Sequence, residues 1–185
     1  ASTFWSDCGA IRRALFLEQG GFPERYAVPS IEDIEFGAAL TAAGHRIRLD
    51  KRLQVKHLKR WTLGGLLRSD ILARGVPWTR LILRTGRMPD DLNLRVASRL
   101  SVGLVYLALL LAVAALAWPP AWLGAGLALA LVVWLNRELY RFFWRRRGPA
   151  FAVGAVAMHG LYYFYNGLSL ALGLAGHLRD RWRAA

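Results

Sequence analysis

A run of uncharged, mostly apolar residues in the second half of the chain most constrains how it can fold. Residues 100–118 contain no charged side chain, and about 20 apolar residues are what an α-helix needs to cross the hydrocarbon core of a membrane. Pro119 and Pro120 should end that helix, because proline lacks the backbone N–H and clashes with the preceding turn. Residues 121–135 are again uncharged and are long enough for a second span if the bilayer thins locally. The sequence therefore predicts a transmembrane helical hairpin.

Arginine and aromatic residues alternate directly after this hairpin, over residues 136–147. This pattern is typical of a helix in the membrane interface, where aromatic rings lie at headgroup depth and arginines reach phosphates. A third uncharged stretch follows at residues 150–174, interrupted by His159 and Asn166. Two alternatives stay open for this stretch: one long span, or a broken and partly re-entrant one. The membrane region is thus predicted over residues 100–175, with two to three spans.

The distribution of arginine predicts how these spans are oriented. Arginines precede the first span and follow the second, whereas the proline turn between the spans has none. Because basic residues accumulate on the cytoplasmic side, we expect both arginine groups in the cytoplasm and the turn outside. Residues 176–185 form a basic tail, which a complete third span would place outside.

Charge and composition narrow the functional classes. The chain has 25 Lys and Arg against 12 Asp and Glu, and 55% of its residues are apolar, above the roughly 45–50% of soluble proteins. A nucleic-acid-binding protein carries such an excess of charge on a soluble patch, whereas these arginines flank apolar spans, so no nucleic-acid partner is expected. The single cysteine, Cys8, excludes an intramolecular disulfide.

The N-terminal part has the pattern of an α/β domain. Ser30, followed three residues later by Asp33 as in a capping box, predicts a helix start. Gly44 is a favoured helix terminator. Apolar and polar residues then alternate over residues 46–56, which predicts one or two short strands broken near Asp50.

A basic amphipathic helix is predicted to follow from Thr62. Its apolar residues fall on one helical face, while Arg68 and Arg74 lie off that face. Such a helix just ahead of a membrane span is expected to lie on the membrane surface. Residues 61–99 are therefore predicted to form interfacial helices and a cytoplasmic linker.

Four short motifs contain residue types that binding and catalysis require. They are Gly20-Gly21, Glu32-Asp33, His57 and Arg74-x-x-Pro77-Trp78. Each also has a purely structural explanation. Acids are common in the first turn of a helix, a histidine can occupy an ordinary strand-to-loop junction, and arginine and tryptophan are common at membrane surfaces.

Together and in this order, the motifs resemble the C-terminal half of the catalytic domain of family-2, GT-A-fold glycosyltransferases, specifically the bacterial membrane-bound ones. The likeness begins near residues 10–13, continues through residues 89–94 into the membrane helices, and covers essentially the whole chain. It implies that residues 1–60 are the acceptor-side part of an α/β, GT-A-type domain. It also implies an integral protein of a bacterial inner membrane with a cytoplasmic catalytic part.

The resemblance implies roles for the motif residues. Asp33, with Glu32 beside it, matches the base that takes the acceptor hydroxyl's proton in inverting transfer. The helix start there is expected to stabilise the ionised carboxylate. The substrate-binding positions that it implies are Gly20, Gly21, His57, Arg74 and Trp78. His57 is also a candidate contact of the diphosphate or of its metal, because it follows the predicted strands and histidine is a common metal ligand.

The resemblance also implies partners and a cofactor. The partners are a nucleotide-sugar donor, a lipid-linked or glycan acceptor, and membrane lipids. The family holds Mg or Mn with an Asp-x-Asp motif, which this sequence lacks. We therefore expect the main metal ligands outside this chain, and this chain alone to be inactive. Processive members carry Gln-x-x-Arg-Trp after the amphipathic helix, and its absence here favours addition of a single sugar.

A different class of function also fits the sequence. In this alternative, the chain is a non-catalytic membrane protein whose basic cytoplasmic face binds anionic lipid or a protein partner. An upstream strand–helix repeat that ends in Asp-x-Asp would favour the enzyme over this alternative.

Overall fold

Helices joined by turns and irregular segments make up the described part of the chain. A computed structural model describes residues 3–26 and 28–184. The helices within these ranges are α1 (Arg13–Glu18), α2 (Glu32–Ala42), α3 (Leu63–Arg68), α4 (Val76–Thr85), α5 (Val96–Ala114), α6 (Ala121–Leu135), α7 (Arg137–Arg147) and α8 (Pro149–Ala184). A π-helical segment, Ser69–Gly75, connects α3 to α4. The described residues contain no β-strand.

The predicted α/β, GT-A-type fold is therefore wrong: the described chain is all-helical. The expected strands fall in an irregular segment, residues 45–61, which keeps only a turn at Asp50, whose carbonyl accepts the Leu53 N–H at 3.0 Å. Leu49, Leu53 and Val55 are all more than 60% exposed. A strand needs a neighbouring strand for its backbone groups and a core for its apolar face, and the described residues supply neither to this segment.

Two compact units divide the chain. The first contains the described residues up to Asp91 together with those from Leu172 onward, and the second contains Leu92–Ala171. Helix α8 contributes residues to both units.

Four phenylalanines form the core around α2 in the first unit. Phe36 of α2 is 2% exposed, and its ring centroid lies 5.2–5.5 Å from those of Phe4, Phe16 and Phe22 in edge-to-face contacts with interplanar angles of 61–90°. Phe22 reaches this cluster because Gly20 and Gly21 both adopt positive φ angles after α1, which glycine does without strain. The two glycines thus set the turn that anchors α2.

The start of α2 differs from the predicted capping box. The helix begins at Glu32, and Ile31, which is fully buried, occupies the N-cap without a side-chain hydrogen bond. Instead, the Glu32 carboxylate accepts the backbone N–H of Ser30 at 2.7 Å. The predicted terminator is confirmed: Gly44 has φ +85°, and the His45 N–H donates to the Leu40 carbonyl.

Ser30 instead connects α2 to the π-helical segment. In a regular α-helix the Ala73 carbonyl would accept the N–H of residue 77, but residue 77 is proline, which has none. The Ser30 hydroxyl donates to this carbonyl. The proline therefore explains why the Ala73 carbonyl is available to a partner from another part of the chain.

The predicted amphipathic helix begins where expected and extends further. Thr62 caps α3 by accepting the Gly65 N–H at 3.1 Å, and the helical run continues through the π segment to Thr85. Within the same unit, Arg80 of α4 forms an ion pair with Asp180 of α8. A Cβ on Gly173 would lie 2.6 Å from the Thr79 Cβ, so the absence of a side chain at this glycine permits the close approach of α8 to α4.

The second unit contains the predicted apolar hairpin. Helix α5 is long and apolar enough to cross a membrane. It ends at Ala114, ahead of Pro119 and Pro120, and α6 starts directly after them. The axes of α6 and α7 are bent by 69° relative to each other at Asn136. Only the two helices together are long and apolar enough to count as a membrane span. No other helix of the described chain qualifies, so the prediction of up to three spans is reduced to one or two.

Asn136 connects the helices at this bend. Its amide donates to the Ser101 hydroxyl of α5 at 3.0 Å and to the Val132 carbonyl at 2.8 Å. Its side-chain oxygen accepts the Tyr163 hydroxyl of α8 at 2.8 Å. Ser101 and Tyr163 are 0% and 1% exposed. Polar groups removed from water are tolerated only when they bond to one another, and these three groups do so.

The bond between Ser30 and Ala73 can be tested with a double-mutant cycle. Ser30→Ala leaves the Ala73 carbonyl without this donor, and the free energy of opening α2 should fall by about 1 kcal/mol. In a Pro77→Ala background, residue 77 can donate to the same carbonyl, so Ser30→Ala should have a much smaller effect. Hydrogen exchange of the α2 amides measures both. Equal losses in the two backgrounds would contradict this assignment.

Candidate functional site

The two adjacent carboxylates at the start of α2 have different surroundings. Glu32 accepts the Ser30 N–H and so closes the helix start. Asp33 is half-buried and accepts the Ser6 hydroxyl at 3.3 Å. It shares the face of α2 that carries Phe36 and Leu40, both of which are buried. Asp33 is therefore held between the helix and the N-terminal segment.

Burial raises the pKa of Asp33 above its ordinary value, and the negative charge of Glu32 adds to the increase. Hydrogen bonds from Ile34 and Ser6 act in the opposite direction but do not outweigh burial. The expectation that the helix start leaves the ionised form favoured is therefore corrected. A carboxylate with a raised pKa is a stronger base than an exposed aspartate, as proton abstraction requires.

A third carboxylate, Glu35, connects α2 to α4. It accepts the Tyr26 hydroxyl at 2.7 Å and the Arg84 guanidinium at 2.6 Å, and it forms an ion pair with Arg25. Burial, followed by the bond to Glu35, raises the pKa of Tyr26. Sequence reasoning missed Glu35, because its partner Arg84 lies 49 positions away. The only sequence signal was a third acid in the first turn of the helix.

A cavity of about 640 Å³ lies between α2 and α4. Of the predicted site residues, only Trp78 lines it. Glu35 also lines it, together with Ile34 and Ala38 from the face of α2 that does not carry Asp33. The remaining lining residues are Thr3, Ala39, Thr41, Leu81, Ile82, Thr85, Arg87, Met88 and Pro89.

The other predicted binding residues lie outside this cavity. Arg74 belongs to the π-helical segment and forms an ion pair with Asp70 at 3.5 Å. Gly20 and Gly21 shape the turn that anchors α2, and they line neither this cavity nor the one described next. The second cavity, about 810 Å³, lies against α1 and residues 45–53 and contains none of the predicted site residues.

His57, the predicted metal contact, lies exposed in the irregular segment. Its Nδ1 accepts the backbone N–H of Lys59 at 3.1 Å. Across residues 3–26 and 28–184, no group of three or more His, Cys, Asp or Glu side chains is placed to hold a metal ion. These residues therefore do not form a metal site around His57.

Comparison of the chain with protein-family models, with curated proteins and with solved structures gives no match.

The raised pKa of Asp33 predicts how stability depends on pH. The folded state binds the proton more tightly than the unfolded state, so the free energy of unfolding should fall as pH rises from about 4, the ordinary aspartate value, through the folded pKa. Asp33→Asn removes this titration. We expect the variant to be at least as stable as the wild type at pH 7 and to lose that part of the pH dependence. Thermal unfolding at pH 4–7 measures both, and a large loss of stability at pH 7 would show that the ionised carboxylate stabilises the fold.

Proposed function

We propose that this chain supplies the acceptor-side and membrane part of an inverting glycosyltransferase. The enzyme moves a sugar from a nucleotide-sugar donor to a lipid-linked or membrane-proximal acceptor. The observation that carries this proposal is the half-buried Asp33 at the start of α2, where burial raises its pKa. Helix α2 packs on the phenylalanine cluster on one face and pairs with α4 through Glu35 and Arg84 on another. The donor-binding part of the enzyme is proposed to lie outside this chain.

In the proposed reaction, Asp33 accepts the proton of the acceptor hydroxyl as that oxygen attacks the anomeric carbon of the donor sugar. The bond from this carbon to the diphosphate breaks with its electron pair, so the nucleoside diphosphate leaves and the configuration inverts. Glu32 contributes by closing the helix start and by raising the proton affinity of its neighbour. Trp78 lies in the cavity on the other face of α2 and offers an aromatic face for another part of the acceptor.

A divalent metal fits the chemistry of a diphosphate leaving group, but the described residues do not fit the metal. They form no cluster of ligands that could hold it. The proposed proton transfer therefore uses only the carboxylate of Asp33.

We further propose that the protein lies in a bacterial inner membrane with α2 and α4 on the cytoplasmic side. Helix α5 is apolar and long enough to span a membrane. Arginines precede α5 and follow α6, whereas the proline turn between these two helices contains none. Basic residues accumulate on the cytoplasmic side of a membrane. Nucleotide sugars are cytoplasmic metabolites, so this orientation would put the proposed base where the donor is.

A second candidate function is supported by α7. This helix carries five arginines, and within the described chain Arg145, Arg146 and Arg147 have no carboxylate partner, while Trp144 is 58% exposed. Exposed arginine next to exposed aromatic rings is typical of a surface that binds anionic lipid. In this alternative, the chain would bind a membrane surface or a protein partner and would catalyse no transfer of sugar.

Substitution of Asp33 separates the two candidates. In the full-length enzyme, Asp33→Asn keeps the size of the side chain but removes the base, so turnover should fall by roughly 10²–10⁴-fold. In the wild type, kcat/KM should fall as pH drops through the raised pKa of Asp33, because only the ionised form accepts a proton. Asp50→Asn, in the turn of the irregular segment, is the matched control and should retain activity. Near-wild-type turnover of the Asp33→Asn variant would show that Asp33 is not the catalytic base.

A further inference from the structure

Helix α8 is one unbroken helix of 36 residues. At 1.5 Å per residue it is about 54 Å long, whereas the hydrocarbon core of a membrane is about 30 Å thick. Polar residues such as His159 and Asn166 interrupt its apolar sequence, and the helix does not qualify as a membrane span. It is therefore neither the complete span nor the broken, re-entrant segment that the sequence left open.

One face of α8 is apolar and uncovered along the length of the helix. Val153, Phe164 and Ala175 follow one another at intervals of 11 residues, which places them on a single helical face, and all three are exposed. A different face packs against the protein, where Tyr163 and Ser169 are each 1% exposed. The helix thus presents an apolar surface that the described chain does not cover.

The C-terminal end of α8 packs on α4 within the first unit. Gly173 is buried and approaches Thr79 so closely that a Cβ on this glycine would lie 2.6 Å from the Thr79 Cβ. Two turns further along α8, Asp180 forms an ion pair with Arg80. Because these contacts hold the two helices together, the end of α8 must lie on the same side of the membrane as α4.

The start of α8 lies on that side too. If α5 crosses the membrane, α6 and α7 together provide the return crossing. Helix α7 ends in Arg145, Arg146 and Arg147, and α8 begins two residues later at Pro149. Basic residues accumulate on the cytoplasmic side, which is also the proposed location of α4. An unbroken helix with both ends on one side of a membrane cannot cross it.

We infer that α8 lies along the membrane surface on the side of α4, with its exposed apolar face against the acyl chains of that leaflet. In the proposed orientation this is the cytoplasmic leaflet. The arrangement also places Arg179, Arg181 and Arg183 of the basic tail on the cytoplasmic side, where anionic headgroups can bind them. The inference rests on the proposed membrane location of the chain and is independent of the transfer of sugar at Asp33.

The depth of nitroxide labels in the bilayer tests the position of α8. Val153→Cys, Phe164→Cys and Ala175→Cys, each in a Cys8→Ala background, are labelled in vesicles of phosphatidylcholine and phosphatidylglycerol. Collision with oxygen and with a nickel chelate then gives their depth. The three positions extend over about 33 Å of helix, yet their depths should agree within about 5 Å if α8 lies in the membrane plane. Leu107→Cys, on α5, is the deep reference. A label at Phe164→Cys about 10 Å or more deeper than the other two is the result for a spanning helix and would overturn the inference.

The side on which α8 ends can be tested with an impermeant maleimide added to spheroplasts. The exposed thiol of Cys8 reports on the first unit in the wild type. Arg183→Cys and Trp118→Cys, both in the Cys8→Ala background, report on the tail and on the proline turn. We expect only the Trp118→Cys variant to react from outside, and the other two to react after lysis. Reaction of both Cys8 and the Arg183→Cys variant from outside would reverse the proposed orientation but support the inference for α8. Reaction of these two thiols from opposite sides would overturn it.

Two glycines of α8 test its contact with α4. Gly173→Leu forces a side chain against Thr79, so hydrogen exchange of the α4 amides should become about tenfold faster, because overpacking weakens a close contact. Gly154→Leu is the matched control, since Gly154 is exposed and a Cβ there would meet no neighbour within 4 Å in the described chain. Its α4 amides should exchange as in the wild type. Unchanged exchange in the Gly173→Leu variant would show that α4 does not hold the end of α8 and would overturn the inference.

Discussion

Pro77 lies within the long helical run that precedes the apolar helices in the sequence, and it leaves the carbonyl of Ala73 without its helical donor. The hydroxyl of Ser30 fills that position. Ser30 lies directly before the helix that carries Glu32, Asp33 and Glu35, so this bond connects the start of α2 to the π-helical segment. The pairing of Glu35 with Arg84 connects α2 to α4. The position of the proposed base and the cavity on the other face of α2 both depend on this arrangement.

The electrostatics of the site show two opposing effects on one carboxylate. A helix N-terminus favours a negative charge by about 0.3–1 kcal/mol when exposed, whereas burial disfavours it. At Asp33 burial dominates and the pKa rises, because Asp33 shares the face of α2 that packs on the phenylalanine cluster. The same packing that holds the helix in place therefore makes its aspartate more basic.

Local signals in the sequence predicted local structure well. Gly44 ends α2, Thr62 caps α3, and the bend after α6 falls at Asn136, where the interfacial helix was expected to begin. The fold class was wrong because alternation over residues 46–56 predicts a strand only if a partner strand exists, and none of the described residues provides one. Ser30 was expected to cap its own helix; its hydroxyl bonds instead to a carbonyl 43 positions away. Contacts between distant positions, such as Glu35 with Arg84, leave no pattern in a single sequence.

Transfer of sugar into lipid tests the central claim most directly. Membranes from cells that express the full-length protein are incubated with radiolabelled UDP-, GDP- or TDP-sugars and then extracted with organic solvent. The account predicts that one of these donors delivers label to the organic phase and that membranes without the protein give none. The absence of label above that background for every donor would contradict a glycosyltransferase and favour the non-catalytic alternative, in which the chain binds anionic lipid or a protein partner.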